Sequence, residues 1–175
     1  GGLLYGYADT RIRLWAPSKD SSGRIININQ GWGITNIQRS RKAEVRIQMA
    51  PMTAPDYDSG WLEMRSNHMK YNQRVLAHGL GDLTYSIVKV LVRVKSGANK
   101  GFIFPAASSA QTDGGNGDTY GGVVYAYNHK NVWLYAPNAT NGYITCVGGE
   151  GWVENMYAQV DNTADVRVMI WSSDS

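Results

Sequence analysis

The sequence predicts an all-β protein: an antiparallel β-sandwich of about seven strands per repeat, with an extra half-repeat at the N-terminus. Three observations carry that expectation. Short segments alternate apolar and polar residues along most of the chain, which is the period of a half-buried strand. Turn formers punctuate them, at Ala16-Pro17-Ser18, Ser22-Gly23, Ser96-Gly97 and Asn141-Gly142. Finally, the opening "GGLLYGYADTRIRLWAP" returns from Gly121 as "GGVVYAYNHKNVWLYAP", with seven of seventeen positions identical and five exchanged like for like.

Taken in order, "LLYGY" and "RIRLW" give the first two strands, and "GRIININ" and "AEVRIQM" the next two. "GWLEM", "QRVLAHGL", "IVKVLVRV" and "GFIFPA" follow once each. "VVYAY", "NVWLY", "YITCV" and "ADVRVMIW" then restate the first set. The match runs on from "GWGITNIQRSRKAEVRIQM" at Gly31 to "GWVENMYAQVDNTADVRVMIW" at Gly151. Residues 1–50 and 121–171 are thus two copies of one half, b, and residues 51–120 form a single half, a. An a half followed by a b half makes a sandwich of ordinary size. Residues 60–175 read as a complete repeat, 1–50 as the C-terminal half of another, and 51–59 as a linker. Residues 65–76 are the one stretch where a short helix competes with strand.

A start inside a repeat implies a mature chain cut from a tandem-repeat precursor. The cut falls in the loop equivalent to residues 107–119, a polar, glycine-rich stretch of the kind proteases favour. One b half is then left over. It pairs with the a half of a neighbouring or cleaved chain, swaps within a closed dimer, or merges into one larger sandwich. Partners are accordingly other copies of the same chain or precursor.

Composition narrows the function. Trp 6 and Tyr 11 against Phe 2 favour aromatics with a polar handle, suited to half-exposed faces and binding surfaces. No apolar run nears the roughly 18 residues of a membrane-spanning helix. The first fifty residues carry eight Lys/Arg and three Asp/Glu, and the remainder is net negative within an overall +3. That split suits docking onto an acidic surface. It lacks the long basic stripe of a nucleic-acid binder. Cys146 is the one cysteine, and Asn27 matches it in the first copy. It reads as a half-buried strand residue, the alternative being an intermolecular disulfide. Asn138-Ala139-Thr140 is a glycosylation sequon, in keeping with a secreted, extracellular protein.

Catalytic motifs are missing: no HExxH, GxSxG, P-loop or zinc-type Cys/His spacing occurs. Glu63, Asp82, Glu150 and Glu154 are not paired by their spacing as a hydrolase would require. His78, in "AHGLGD", reads as a turn cap. The loop from Asp113 to Asp118 reads as a mobile connection, with calcium at Asp113, Asn116 and Asp118 as the alternative because it gathers oxygen ligands. Gly31-Trp32, Gly60-Trp61 and Gly151-Trp152 read as packing elements at strand entries. Trp133 alternates with Val132 and Leu134, and Arg13 matches it in the first copy. It therefore belongs on an exposed face, where an indole stacks on a sugar ring.

The a-b unit over residues 60–171, with "AHGLGD", "VKVLVRV" after a turn, the "GF" strand and a closing strand ending in "IW", resembles H-type lectin domains. That resemblance implies sugar binding and trimeric assembly. The sequence thus points to a secreted, non-enzymatic adhesion or carbohydrate-binding module. Its site would comprise Trp133, Tyr135, Tyr125, Tyr127, Asp113, Asn116 and Asp118, with glycans as partners. The alternative is a structural extracellular-matrix protein whose repeats self-assemble into filaments or sheets.

Overall fold

The computed structural model describes residues 2–17, 24–28, 38–106, 120–147 and 159–172. Among these all regular structure is β, and no helix occurs. The strands are β1 (Leu4–Ala8), β2 (Arg11–Trp15), β3 (Ile26–Ile28), β4 (Gln38–Ser40), β5 (Tyr57–Asp58), β6 (Leu62–Arg65), β7 (Gln73–Ala77) and β8 (Ile87–Val94). There follow β9 (Ile103–Pro105), β10 (Tyr120–Gly121), β11 (Val124–Tyr127), β12 (Asn131–Tyr135), β13 (Gly142–Tyr143), β14 (Thr145–Val147), β15 (Gln159–Asp161) and β16 (Thr163–Trp171).

The largest sheet runs β2-β1-β9-β8-β16-β5, with β6 also paired to β16. A second sheet runs β11-β12-β7. All of these pairs are antiparallel. The short β10–β13 pair is parallel.

The spine is the β8–β16 ladder, in register from Ala164↔Val94 to Trp171↔Ile87. Alternation in "TADVRVMIW" decides the faces. Ala164, Val166, Val168 and Ile170 are fully buried, while Thr163, Asp165, Arg167, Met169 and Trp171 point the other way. β-Branched residues at the buried positions suit this pleated, one-sided surface. Their cluster includes Met64, Val90 and Val92 from the same sheet and Val132 and Leu134 from the second. Residues of both sheets thus share one buried cluster.

The outward face of the large sheet is held by charge. Glu63 pairs with Arg65 and Lys95 at 2.6 and 2.5 Å. Asp165 accepts from Arg93 at 2.8 Å, and Arg167 is paired with Asp58. The Lys95 ammonium and then the Arg65 guanidinium hold the Glu63 carboxyl down from 4.5 to about 2. A carboxyl held below its unfolded value stabilises the fold above pH 4.5 and loses that contribution as pH falls towards 2. Melting followed from pH 5 to pH 2 is therefore expected to fall more steeply in the native chain than in Glu63→Gln. Identical slopes would show that the pairs contribute nothing.

Residues 1–50 and 121–171, matched in sequence, form hairpins of matching register. β1–β2 pairs Leu4↔Trp15 through Ala8↔Arg11, and β11–β12 pairs the matching residues, Val124↔Tyr135 through Tyr127↔Val132. β3–β4 pairs Asn27↔Arg39 where β14–β15 pairs Cys146↔Val160. The bond from Gly2 N–H to the Arg24 carbonyl, 3.2 Å, is matched by one from Gly122 N–H to the Tyr143 carbonyl, 3.0 Å.

What surrounds the hairpins differs. β11–β12 lies beside β7 through β12, whereas β1–β2 lies beside β9 through β1, at Tyr7↔Ile103. Trp15, Phe102, Phe104 and Val94 form a second buried cluster there, with the Trp15 and Phe104 rings 5.4 Å apart. Arg13 reaches across to the Asn99 side chain at 2.6 Å and lies over the Phe102 ring.

This explains why glycine stands at position 6 where the matching position 126 is alanine. A methyl group at Gly6 would sit 2.6 Å from Phe104 Cε1, whereas Ala126 is exposed. Gly6→Ala is expected to destabilise the chain by about 1–3 kcal/mol through overpacking, read as a lower urea midpoint. An unchanged midpoint would mean that Phe104 yields freely.

One expectation meets a different outcome. "AEVRIQM" is expected as a strand, yet residues 42–54 are exposed and join no ladder. The large sheet explains this, because β16 already fills the position beside β8 that this sequence would take. Residues 65–76 are not helical: β6, a turn and β7 occupy them. The turn is closed by Asn67 in the left-handed region, φ 54°, with its side chain donating to the Gly142 carbonyl. Residues 51–59, read as a linker, carry β5 and run along β16, where Asp56 N–H donates to the Ile170 carbonyl. The 107–119 loop and the Trp32 and Trp152 elements lie outside the described residues.

Candidate ligand-binding face

The second sheet has two faces, fixed by register. Tyr125, Leu134 and Arg74 stand in one row, and Tyr127, Val132 and Leu76 in the next. Leu134 and Val132 are fully buried, so these rows face the core. The intervening rows face outward: Ala126, Trp133 and Val75, then Val124, Tyr135 and Gln73. The alternation in "NVWLY" against "QRVLA" places them there.

Trp133 therefore sits on the central strand of the outer face. Val75 on β7, 52% exposed, and Ala126 on β11, also exposed, flank it. Tyr135 lies two residues along the same strand, 42% exposed. The indole is half-buried between low neighbours. This gives a shallow aromatic platform with Gln73 at its side for hydrogen bonding.

The four aromatics expected as one site do not share a face. Trp133 and Tyr135 are outward. Tyr125 packs against the core, and burial, then the neighbouring Tyr127, raises its phenol above 10.0. Tyr127 is half-exposed at the end of the core-facing row. Asp113, Asn116 and Asp118, with the calcium expectation attached to them, lie outside the described residues. Asn138 is exposed in the turn that follows β12, so the sequon is open to solvent beyond Tyr135. Cys146 stands on β14 opposite Val160.

Val75 was not singled out in the sequence. Alternation in "QRVLA" puts it on a face with Gln73, but nothing in one sequence says that β7 pairs with β12.

Other chemistry-bearing residues have structural partners. His78 Nδ1 accepts from Leu80 N–H at 3.1 Å, which leaves Nε2 to donate to the Asn128 carbonyl at 2.9 Å. It joins the turn after β7 to the β11–β12 turn, in keeping with a cap. Glu63 is engaged by two cations, and Asp82 accepts from Thr84. Trp61 lies beneath the guanidinium of Arg93 at 4.3 Å and near that of Arg167. Among the described residues no three His, Cys, Asp or Glu side chains gather to hold a metal ion. No helix among the described residues is long and apolar enough to cross a membrane.

No known family model matches this chain, and neither does any curated protein sequence.

Proposed function

We propose that the protein is a secreted, non-enzymatic adhesion module of β-sandwich type that binds carbohydrate on the outer face of β7, β12 and β11. The observation that carries this is Trp133, held half-exposed on the central strand of the outer sheet face between Val75 and Ala126. Flat aromatic surface matches the apolar face of a pyranose, and the Gln73 amide supplies a polar partner for its hydroxyls. The resemblance to H-type lectin domains points the same way. The shared hairpin registers support the tandem-repeat reading, in which each copy adds one such unit.

Affinity electrophoresis through gels containing neutral and acidic polysaccharides tests the proposal. Retardation by at least one polysaccharide, weakened about tenfold or more in Trp133→Ala, is expected for a central aromatic contact. Migration unaffected by every polysaccharide would end the reading.

A second reading is favoured by one observation. The exposed segment 42–54, with Val45, Ile47 and Met49 open to solvent, suits a structural matrix protein that assembles through its repeats. Mass discriminates the two: discrete small oligomers for the adhesion module, filaments or sheets for the matrix protein.

A further inference from the structure

Residues 43–49, "AEVRIQM", repeat residues 164–170, "ADVRVMI", nearly residue for residue. In β16 this sequence lies between β8 on one side and β6 and β5 on the other. Ala164, Val166, Val168 and Ile170 are fully buried, its aspartate meets Arg93 and Lys95, and its arginine meets Asp58. In the first copy the same pattern has no ladder. Val45 is 46%, Ile47 51% and Met49 83% exposed.

Each chain thus holds two segments of this pattern and, among the described residues, one slot, which β16 fills. Any number of copies leaves one such strand over per copy. Pairing between the leftover segments consumes them all.

We propose that residues 43–47 of two copies pair as antiparallel strands about a two-fold axis, with Val45 opposite Val45. Charge complementarity selects that register. It sets Glu44 opposite Arg46 twice, on one face, and Ala43 opposite Ile47 twice, on the other. A shift of two residues in the pairing sum sets Arg46 against Arg46 or Glu44 against Glu44, which costs stability. An odd shift sets apolar residues against charged ones and turns each strand's apolar face the wrong way. Such a pair is isologous and closes at two copies. It also covers exposed backbone groups that natural proteins seldom leave open. The closed pair is a discrete small oligomer, as expected of the adhesion module, and it is independent of the Trp133 face.

The test is sedimentation equilibrium of the full 19.3 kDa chain with three variants. The intact chain is expected to dimerise. Glu44→Arg and Arg46→Glu are each expected to weaken the dimer about tenfold, and the double exchange Glu44→Arg with Arg46→Glu is expected to restore it. In a Cys146→Ser background, Val45→Cys is expected to give a disulfide-linked dimer on mild oxidation. A monomer at all concentrations overturns the proposal, as does a dimer indifferent to both single exchanges or one that the double exchange fails to restore. Open filaments would overturn the closed pair while leaving the matrix reading standing. The substitutions within residues 43–49 fall on exposed positions, so circular dichroism is expected to be unchanged by them.

Discussion

Val166→Asp is expected to abolish folding, whereas Val45→Asp, the same exchange at the matching position of the first copy, is expected to leave the fold intact. Val166 is fully buried in β16, opposite Val92 and Leu62. A carboxylate there has no cation and no donor within the apolar cluster, so it must either desolvate unpaired or take up a proton. The cost is at least about 4 kcal/mol, a large share of the roughly 5–15 kcal/mol that holds a domain together. Val45 is 46% exposed in a segment that joins no ladder, so a carboxylate introduced there stays hydrated and the change stays within about 0.5 kcal/mol. Urea denaturation followed by tryptophan fluorescence reads both. Equal losses in the two variants would mean that residues 43–49 are covered in the isolated chain.

Trp15→Ala is expected to release the first hairpin without melting the rest. Trp15 is 5% exposed and packs on Phe104 in a cluster separate from the main core. Truncating a buried indole costs about 3–5 kcal/mol. Its other ties to the sheet include the Tyr7↔Ile103 pair with β9 and the reach of Arg13 to Asn99, to the Ala98 carbonyl and over the Phe102 ring. Loss of Trp15 is therefore expected to open β1 and β2 locally, below the free energy of global unfolding. Amide exchange is expected to accelerate over residues 4–15 while the β8–β16 ladder keeps its protection. The matching exchange, Tyr135→Ala, falls on a residue 42% exposed and is expected to cost under about 1 kcal/mol. Acceleration across the whole chain in Trp15→Ala would show the two clusters to be one cooperative unit.

These contrasts show what the sequence made legible. Strand identity followed from alternation: "IVKVLVRV" and "ADVRVMIW" became β8 and β16, and "LLYGY" and "RIRLW" became β1 and β2. The outward place of Trp133 followed from its apolar neighbours and from Arg13 in the other copy. Long-range pairing did not follow, because like sequences met unlike surroundings. Gly6 and Ala126 look interchangeable until Phe104 is brought against one of them. "AEVRIQM" and "ADVRVMI" carry the same strand pattern, but one slot exists in the described fold, and β16 holds it. Tyr125 and Trp133 sit on paired strands, yet only the register shows that they face opposite ways. The partner of Trp133 across the sheet, Val75, comes from a stretch with no repeat to mark it.

The proposed function rests above all on the outer face of β7, β12 and β11 being the ligand surface. Titration of the isotopically labelled chain with the oligosaccharide that retards it best, followed residue by residue in proton–nitrogen spectra, tests this most directly. The expected result is saturable shifts confined to the Trp133 indole and the amides of Gln73, Val75, Ala126 and Tyr135, and absent in Trp133→Ala. Shifts that map to another surface, or that persist at full size in Trp133→Ala, would contradict it.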